Sequence, residues 1–582
     1  MLQALREYGE KLGGEPGFKT REVRWYIDVS ADGRLLGLLP LGDGKSGKMI
    51  ARCPDMHGMN AGGRAHFLVE SAQTVARHFK ANEDPKKFES TLDRHRFYVD
   101  LIDVASQSTP SLASISSLLS SETALVALRG HMVVAKVKST DWIGWRVDGQ
   151  DPVARPDVQS WWRDWRLADQ RAGSDGNSGA AVNMVCMLSG QLIEPLATHP
   201  KVTGLAGLGG LAMGDVMVGC DKSAFTSFNL EQSANAAIGA VSAQQYADGL
   251  NDLIRNHSKR IGSSLCVYWF KHAVAQKDDP FALLYGLESK EQQQSSAASL
   301  QARALLDAIR SGQRTDLGLN VFYAMTLSGA AGRVMVRDWM EGQFEQLVAH
   351  IDAWFSDLAI VNRDGKAMAP DPKFLAVAGA LVKEDLKELP APAMATLWHA
   401  AVAKLPIPQP LMAQALHRFR LSIVSDETLL HARIGLIKGY FVRNPQGGDM
   451  HMKPYLNPDH PDPAYHCGRL LAVLAKLQHA ALGDVGAGVV QRFYPAASQT
   501  PGLTLGRLVA NARNHLGKLD GGLAWWHEER IAEIMGRLRD QIPRTLNLEE
   551  QGLFALGYYQ QLAELRGGKK SNGNDQGKEA IE

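Results

Sequence analysis

Glycines and polar side chains are concentrated in segment 199–239, which holds the densest glycine cluster of the sequence. Glycine accepts positive φ angles and carries no side-chain bulk, so such a loop can turn its N–H groups toward a phosphate or lie against a nucleic-acid groove. A glycine-rich surface loop that binds no ligand has the same composition. The candidate binding residues of this segment are Gly207, Gly209, Gln232 and Asn235.

Residues 207–212 also fit the relaxed form of a dinucleotide-binding fingerprint. That fingerprint needs a buried strand directly before it and an amphipathic helix directly after it. Here Thr198-His199-Pro200 precedes the glycines, and the apolar run 216–218 predicts a strand after them. The context argues against a dinucleotide site. A small-molecule enzyme that uses the loop near Gly207 as a cofactor site is kept as an alternative.

A second glycine-containing segment, 42–64, carries several cations. It is not a Walker A motif, because Leu39 stands where the leading glycine would be needed before Gly44-Lys45-Ser46. Its positive residues outnumber Asp43 and Asp55, which suits contacts to phosphates, and an asparagine can both donate to and accept from a base edge. A solvated loop is the competing interpretation. The candidate contacts are Lys45, Lys48, Arg52, His57, Asn60 and Arg64.

A third candidate surface follows from helical spacing near the C-terminus. Arg507, Asn511, Asn514 and Lys518 stand at i, i+4, i+7 and i+11, so they share one face of a predicted helix over 502–519. A basic face of this kind can follow a nucleic-acid backbone. A solvated helix face has the same pattern, and the spacing alone favours that simpler interpretation.

Tryptophan and arginine alternate in Trp161-Trp162-Arg163-Asp-Trp165-Arg166. Such side chains can stack on unpaired bases. The pattern is more typical of a buried aromatic edge on a helix, with the arginines pointing outward.

No recognisable catalytic or metal-binding motif is present in the sequence. Residues 176–180 fail as a nucleophile elbow because Ala180 replaces the second glycine. The five cysteines include no CxxC pair, so neither a zinc site nor a disulfide framework is indicated, and buried free thiols are expected. We therefore predict a protein that is not an enzyme and that has no catalytic residues, metal or cofactor.

The composition is that of an ordinary soluble globular protein. The 582 residues are 45% hydrophobic and 21% charged, with a formal net charge of +1. A near-neutral chain has no global electrostatic attraction for nucleic acid, so any contact must come from local patches or partner subunits. The N-terminus is unlike a secretory signal, and no apolar run approaches the ~20 residues that a bilayer requires. A cytoplasmic location without membrane attachment is expected.

The pattern of elements predicts an α+β protein. A mixed α/β N-terminal part over 1–288 carries the candidate loops, a mostly helical region spans 289–449, a C-terminal four-helix bundle spans 450–566, and 567–582 is a disordered tail. Strands are predicted at 23–29, 266–270, 319–325 and 334–339, a helix at 67–79, and a mixture of strands and helix over 91–147, which includes 131–137. The bundle helices are predicted at 465–482, 502–519, 524–542 and 547–565, with Asn547 and Glu550 as an N-terminal cap.

Several segments resemble one known family over almost the whole chain: MLQALREY at the N-terminus, Cys186-Met-Leu-Ser-Gly-Gln191 followed by His199-Pro200, and Ser227-Phe-Asn-Leu-Glu-Gln-Ser-Ala-Asn-Ala236. Further matches are Arg433-Ile-Gly-Leu-Ile-Lys438, Tyr494-Pro-Ala-Ala-Ser-Gln-Thr-Pro501 and Phe554-Ala-Leu-Gly-Tyr-Tyr559. Their order and spacing are similar to those of the large subunit of the type I-C CRISPR interference complex, Cascade.

The resemblance implies a non-catalytic subunit that recognises the protospacer-adjacent motif in duplex DNA, assists unwinding and R-loop formation, and contacts the displaced strand. The implied partners are crRNA, target double-stranded DNA, the Cascade backbone subunits, the handle-binding subunit, the small subunits, and a helicase-nuclease recruited after R-loop formation. Segments 45–64 and 204–235 would then face the motif, and the stripe on the predicted helix 502–519 would face the displaced strand. A purely structural scaffold is a further alternative.

The resemblance also implies a separate small subunit that corresponds to the C-terminal bundle and is made by internal translation of the same gene. Met450 and Met452 stand just ahead of the predicted bundle. Either one is a candidate start.

Overall fold

A computed structural model describes residues 1–13, 15–43, 46–56, 63–80, 84–174, 183–225, 230, 232–286, 297–425, 430–444, 452–483, 485 and 488–567. The chain forms two compact units. The first comprises Met1–His257 together with Gly329–Met335, and the second comprises Ser258–Ser328 and the chain from Val336 onward. The predicted α+β class is confirmed. The predicted domain ranges 1–288, 289–449 and 450–566 stay predictions, and 568–582 lies outside the described residues.

The first unit mixes short strands with helices. Its elements are α1 (Leu2–Lys11), β1 (Phe18–Val23), β2 (Trp25–Val29), β3 (Leu35–Pro40), β4 (Lys48–Pro54), β5 (Glu70–Ser71), α2 (Ala72–Ala76), α3 (Pro85–Ser108), α4 (Ala113–Ser120), α5 (Glu122–Val134), β6 (Trp142–Val147), α6 (Pro156–Ser174), β7 (Met184–Val185), β8 (Leu192–Ile193), β9 (Lys201–Val202), β10 (Asp215–Val216) and α7 (Ala240–Asn256).

A four-stranded sheet in the order β3-β2-β6-β5 lies in the first unit. β2 runs antiparallel to β3 and parallel to β6, and the two-stranded ladder β1–β4 is antiparallel. Ile27 and Val29 of β2 are buried, as the alternating pattern predicts. The predicted strand 23–29 is divided at Arg24, because the Arg24 N–H donates to the carbonyl oxygen of Trp142 at 2.9 Å. The chain leaves one ladder and enters the other at this residue.

Two parts of the first unit differ from or resolve the sequence pattern. Segment 131–137, where strand and helix were both open, begins as the last turn of α5, and Ser121 caps this helix by accepting from the Ala124 N–H at 3.3 Å. Leu125, Leu128 and Met132 form the buried face of α5, so the helical period prevails over the β-branched residues near its end. The helix predicted at 67–79 is confined to Ala72–Ala76, since Leu68 and Arg77 have φ angles of 63° and 53°.

The second unit opens with strands and continues as helices. Its elements are β11 (Ser258–Ile261), β12 (Ser264–Phe270), α8 (Pro280–Tyr285), α9 (Ala297–Arg310), α10 (Thr315–Gly318), β13 (Val321–Ala330), β14 (Arg333–Gln343), α11 (Phe344–Leu358), α12 (Phe374–Ala380), α13 (Ala391–Val402), α14 (Gln409–Val424), α15 (His431–Arg443), α16 (Pro463–Leu482), α17 (Val489–Ala497), α18 (Pro501–Leu516), α19 (Gly521–Leu538) and α20 (Leu548–Gly567). The first residues of β14 and the turn before them belong to the first unit.

The strands predicted near 266–270, 319–325 and 334–339 are confirmed as β12, β13 and β14. β11, β12 and β13 pair in antiparallel fashion, with Leu265 opposite Leu327 and Phe270 opposite Phe322. Helices cover this sheet through a core that includes Trp354 and Trp398, both fully buried. The apolar strands therefore form the wall against which the helical part packs.

The four predicted C-terminal helices correspond to α16, α18, α19 and α20, and α17 is an additional short helix between the first two. The predicted cap is confirmed: Asn547 Oδ1 accepts from the Glu550 N–H at 2.9 Å, and Glu550 Oε2 accepts from the Asn547 N–H at 2.7 Å. α16 and α20 pack so closely that a Cβ atom added at Gly468 would overlap the carbonyl oxygen of Phe554. A Cβ added at Gly557 would overlap that of Tyr465.

Four of the five cysteines, Cys53, Cys186, Cys266 and Cys467, are buried free thiols, as expected, and Cys220 is half-buried. Among the described helices none is by itself both long and apolar enough to cross a membrane. The helices Pro110–Ser120 and Glu122–Val134 reach that length and composition when taken together, with a bend of 85° between them.

Candidate nucleic-acid interface

The first predicted contact surface is centred on β4 of the first unit. Lys48 begins β4 opposite Val23 of β1, and its side chain is exposed to solvent. Lys45, His57 and Asn60, which were predicted to bind with it, lie outside the described residues. Lys48 is thus the described lysine of segment 42–64 that is placed to meet a phosphate.

Arg52 is engaged in contacts within the first unit. It occupies an irregular point of the β1–β4 ladder with a φ angle of 58°, and it forms an ion pair with Glu15 at 2.5 Å. Its guanidinium lies 5.3 Å from the ring centre of Phe18, and Arg163 lies at the same distance and also pairs with Glu15. The hydrogen bond from Arg163, together with the charge of Arg52, lowers the pKa of Glu15. Arg52 therefore helps to join β4 to α6.

Arg64 is held in the same manner. Its two terminal nitrogens bind the carboxylate of Asp169 on α6 at 2.5 and 3.1 Å, and its guanidinium lies 5.6 Å from the ring centre of Phe97 on α3. A bidentate arginine–carboxylate pair is geometrically specific. The pair fixes the end of segment 42–64 to α6, and the contact with Phe97 fixes it to α3.

Beneath this surface lies a buried charge network. Arg21 of β1 pairs with Asp55 and lies 4.2 Å from the ring centre of Trp142, while His66 lies 3.1 Å from Asp55. Burial alone would raise the pKa of Asp55, but the hydrogen bond from His66 and the charge of Arg21 together hold it well below its usual range. Asp55 is therefore a carboxylate, and the network ties the two ends of segment 55–66 together.

The fold assembles a cationic cleft that the sequence did not reveal. This cleft, of about 520 Å³, is lined by Lys19 of β1, Arg24, Lys138 and Arg255 at the end of α7, and by Met49 next to Lys48. Its two acids, Glu22 and Asp141, lie 3.9 and 3.7 Å from Arg24, so Lys19, Lys138 and Arg255 leave the cleft with a positive excess. Lys138 and Arg255 are exposed. No motif links these residues, because they lie in separate parts of the chain and meet only through tertiary packing.

A half-buried acid lies beside this cleft. Asp248 of α7 accepts a hydrogen bond from Gln244 at 2.9 Å and lines a smaller cavity together with Lys19 and Asn251. Burial raises the pKa of Asp248 to about 6, and Gln244 and the charge of Lys19 only partly oppose this shift. The charge of this smaller cavity therefore changes in the weakly acidic range.

The glycine-rich loop connects the antiparallel strands β9 and β10. It closes on its own carboxylate, because the Leu211 N–H donates to Asp215 Oδ1 at 3.1 Å and Asp215 is fully buried. A Cβ atom at Gly210 would overlap that carboxylate, and one at Gly209, which has a φ angle of 89°, would lie 2.8 Å from the carbonyl oxygen of Gly329. The glycines are thus required by close packing. The strand–turn–helix arrangement of a dinucleotide site is not what this loop forms.

The remaining residues predicted on this side are placed as follows. Gly207 lies in a single 3-10 turn at 206–208. Gln232 is exposed and has a φ angle of 47°. The Asn235 amide donates to the carbonyl oxygens of Leu230 and Gln232 at 2.9 and 3.1 Å, so it closes its own loop.

The simpler interpretation of the α6 tryptophans is confirmed in part: Trp162 is buried, but Trp161 and Trp165 are half-buried. The arginines do not point outward, because Arg163 pairs with Glu15 and Arg166 is half-buried. Trp162 is fully buried and stacks on Phe67 and Trp165 at centroid distances of 5.5 and 5.3 Å. Its indole N–H donates to the carbonyl oxygen of Gly17 at 2.7 Å. These rings pack against one another and stabilise the first unit.

The predicted stripe of the second unit lies on α18. Arg507, Asn511 and Asn514 are exposed on one face, opposite the buried Leu505, Leu508 and Ala512 face. Lys518 is also exposed but lies beyond the helix end at Leu516, in the turn closed by the Lys518 N–H and the His515 carbonyl at 3.0 Å. The structure therefore brings together the polar surface that the spacing predicted.

The family model described as CRISPR-associated protein (Cas_Csd1) matches residues 2–566. The chain belongs to the Cas_Csd1 family. No curated protein matches the chain. Membership of this family supports a role as a CRISPR-associated protein of the Cascade type.

Within this Cas_Csd1 protein, the predicted site residues divide into two groups. Lys48, Gln232 and the α18 stripe are exposed, whereas Arg52, Arg64 and Asn235 are engaged in contacts within the chain. The residues that sequence reasoning missed are Lys19, Lys138 and Arg255. The alternating cations of β1 gave a partial signal for Lys19 but none for the other two.

Proposed function

We propose that this protein is the large subunit of a type I-C Cascade complex. It recognises the protospacer-adjacent motif in duplex DNA, assists unwinding and R-loop formation, and contacts the displaced strand. The observation that carries this proposal is the family match over residues 2–566. The exposed cationic surfaces of both units supply the chemistry that the proposal needs.

On the motif side, we assign phosphate contacts to Lys48 and to the cleft cations Lys19, Lys138 and Arg255. Exposed lysines and arginines position a protein on DNA by contacting phosphates, and base edges are read by side chains close to them. Lys45, His57 and Asn60 belong to the same segment as Lys48 and are assigned to this side with it. Arg52 and Arg64 act indirectly: Arg52 fixes β4 to Glu15 ahead of β1, and Arg64 fixes the end of the segment to Asp169 of α6.

On the displaced-strand side, we assign the α18 stripe of Arg507, Asn511, Asn514 and Lys518. A single strand leaves its phosphates accessible along one edge, which a row of cations and amides can follow. Since the net charge of the chain is +1, such a local row is the form of attraction that this composition permits.

The proposed assembly contains crRNA, the Cascade backbone subunits, the handle-binding subunit and small subunits, in the cytoplasm, and it recruits a helicase-nuclease after R-loop formation. Guide pairing supplies most of the sequence specificity, so the large subunit needs to read only a short motif. A product that starts at Met452 would contain α16 to α20 complete, since α16 begins at Pro463. Met450 lies outside the described residues. The absence of a short C-terminal product in mass spectra of the expressed gene would remove this part of the proposal.

The motif-side assignment is tested with the assembled complex on target DNA. Substitution of Lys45→Ala together with Lys48→Ala is expected to weaken DNA binding and to reduce the slope of log affinity against log salt by about 0.9 for each phosphate that is no longer neutralised. The matched control is Lys383→Ala with Lys387→Ala, two lysines whose side chains are 68% exposed. Unchanged affinity and slope in a fully assembled complex would instead favour the purely structural scaffold.

The displaced-strand assignment has a control on the same helix. Arg507→Ala is expected to shorten the lifetime of the R-loop and to lower the salt slope by about 0.7, the value for one single-strand phosphate. Arg513→Ala removes another exposed arginine about 120° around α18 and should leave both quantities unchanged. Equal effects of the two substitutions would contradict a directional stripe.

A further inference from the structure

The second unit contains an apolar cavity of about 370 Å³ that belongs to none of the surfaces assigned to DNA. It lies where α13 packs on the sheet formed by β11, β12 and β13. Ile261 of β11 and Met394 of α13, both almost fully buried, form much of its wall. Cavities of this size and lining are typical of small-molecule sites.

Two buried polar atoms of residues that line this cavity have no hydrogen-bond partner. They are the Thr326 hydroxyl oxygen and the Trp398 indole nitrogen. Buried polar groups in folded proteins are nearly always paired, so each unpaired group calls for an explanation. The ring of Trp398 stacks on Phe281 and Tyr285 at centroid distances of 5.7 and 5.4 Å, so the tryptophan is fixed in place.

The charge at the cavity is positive. Arg337 is the charged residue among the nine that line it, and its Nε donates to the Ser328 hydroxyl at 2.9 Å. α13 begins at the cavity, with Ala391 and Pro392 in the lining, and the residue before the helix makes no side-chain cap. The first turn of a helix carries partial positive charge. An exposed guanidinium and a helix N-terminus therefore lie at the edge of an apolar volume.

We propose that this cavity binds a small amphipathic anion, with an apolar body and one carboxylate or phosphate group. The body lies between Ile261, Met394 and Trp398, and the anion is held by Arg337 and the first turn of α13. Thr326 and Trp398 supply hydrogen bonds to a polar atom of the ligand. A medium-chain carboxylate and a medium-chain alkyl phosphate share this chemistry. The site is separate from DNA recognition and does not depend on it.

Isothermal titration calorimetry of the full chain tests the proposal with three probes: octanoate, 1-octanol and octyl phosphate. We expect one site for octanoate or for octyl phosphate, and the one that binds more tightly identifies the anionic group of the ligand. Arg337→Gln should weaken the affinity for the anion by about tenfold and leave the affinity for 1-octanol unchanged, because the substitution removes a charge-assisted contact and no apolar surface. Ala395→Trp, which fills the cavity, should abolish binding of all three probes.

Three results would overturn the assignment: no binding of either anion to the wild-type chain, full binding to the Ala395→Trp protein, or equal affinity of wild-type and Arg337→Gln proteins for the anion. If circular dichroism shows that Ala395→Trp does not fold, Thr326→Val replaces it. That change keeps the volume and removes an unpaired buried hydroxyl, so it should weaken binding of the anion and leave the ligand-free protein at least as stable as wild type. Unaltered affinity of Thr326→Val would then count against the site.

Discussion

At the scale of single residues, the cations of the first unit divide by their surroundings. Arg52 and Arg64 are each held by a carboxylate and an aromatic ring, whereas Lys48 faces solvent. Residue type was predictable from the sequence, but this division was not, because Glu15 and Asp169 lie far from their partners along the chain. Exposure decides which of the predicted residues remain suitable for a phosphate.

The Arg64–Asp169 pair leads to a prediction about stability. Arg64→Gln and Asp169→Asn should each lower the melting temperature, and the double variant should lose less than the sum of the two. We expect a coupling of about 1 kcal/mol or less, since the arginine side chain is 34% exposed and solvent screens the pair. Thermal unfolding of the four proteins measures it. Strictly additive losses would show that the pair contributes no interaction.

Asp248 leads to a prediction about pH. Its pKa is raised to about 6 by burial, while in the unfolded chain it titrates near its ordinary ~3.9. The folded state therefore holds the proton more tightly than the unfolded chain does. The contribution of protonated Asp248 to the stability of the fold is complete below the unfolded pKa and is lost as pH rises to about 6. The unfolding free energy of Asp248→Asn relative to wild type should therefore increase by about 2 kcal/mol when the pH is raised from 4 to 7.5.

The measurement is the unfolding free energy of both proteins in denaturant at the two pH values. The asparagine can still accept the hydrogen bond from Gln244, so packing is conserved and the difference isolates the charge. A stability difference that stays constant from pH 4 to pH 7.5 would mean that the fold does not raise the pKa of Asp248.

At the scale of elements, the C-terminal helices were the most predictable part of the chain. Their apolar residues repeat at helical intervals, and the Asn547–Glu550 cap is visible in the sequence and present in the structure. The less predictable elements are those where a single backbone angle decides the outcome. Leu68 and Arg77, with positive φ angles, restrict a periodic apolar segment to one short helix.

The glycine-rich loop shows why composition does not identify a ligand site. The same glycines that would let a backbone approach a phosphate are used here to approach Asp215 and Gly329. The sequence does not indicate whether these glycines approach a phosphate or the protein itself, because their contacts with Asp215 and Gly329 form only in the folded chain. The Asp215 carboxylate accepts the hydrogen bond from the Leu211 N–H, which is therefore not available to a bound anion.

The contact between α16 and α20 leads to a prediction about packing. Gly557→Ala should destabilise the second unit by about 1–3 kcal/mol, because the new Cβ would overlap a backbone carbonyl of α16 that cannot move alone. Gly506→Ala is the control: it lies within α18 with open space around it and should stabilise the helix by about 0.5–1 kcal/mol. Differential scanning calorimetry separates the two, and a neutral Gly557→Ala would contradict the close packing.

At the scale of the whole molecule, a nearly neutral chain contains separate cationic surfaces in its two units. A CRISPR-associated protein of the Cascade type was predictable from the order of short motifs along the chain, and the match over residues 2–566 places the chain in the Cas_Csd1 family. The cleft of Lys19, Lys138 and Arg255 was not predictable, because its members meet only in the folded first unit. We infer that these surfaces hold DNA within an RNA-guided complex.

Photo-cross-linking within the assembled complex tests this inference directly, because it identifies the peptides that contact the DNA. Target DNA carrying photoreactive bases beside the motif or in the displaced strand is bound, irradiated and digested, and the cross-linked peptides are identified by mass spectrometry. We predict that motif-side bases attach to the segment containing Lys48 or to the cleft around Lys138 and Arg255, and that displaced-strand bases attach to α18. Cross-links of both kinds that fall only on other subunits would contradict the assignment of these surfaces to DNA.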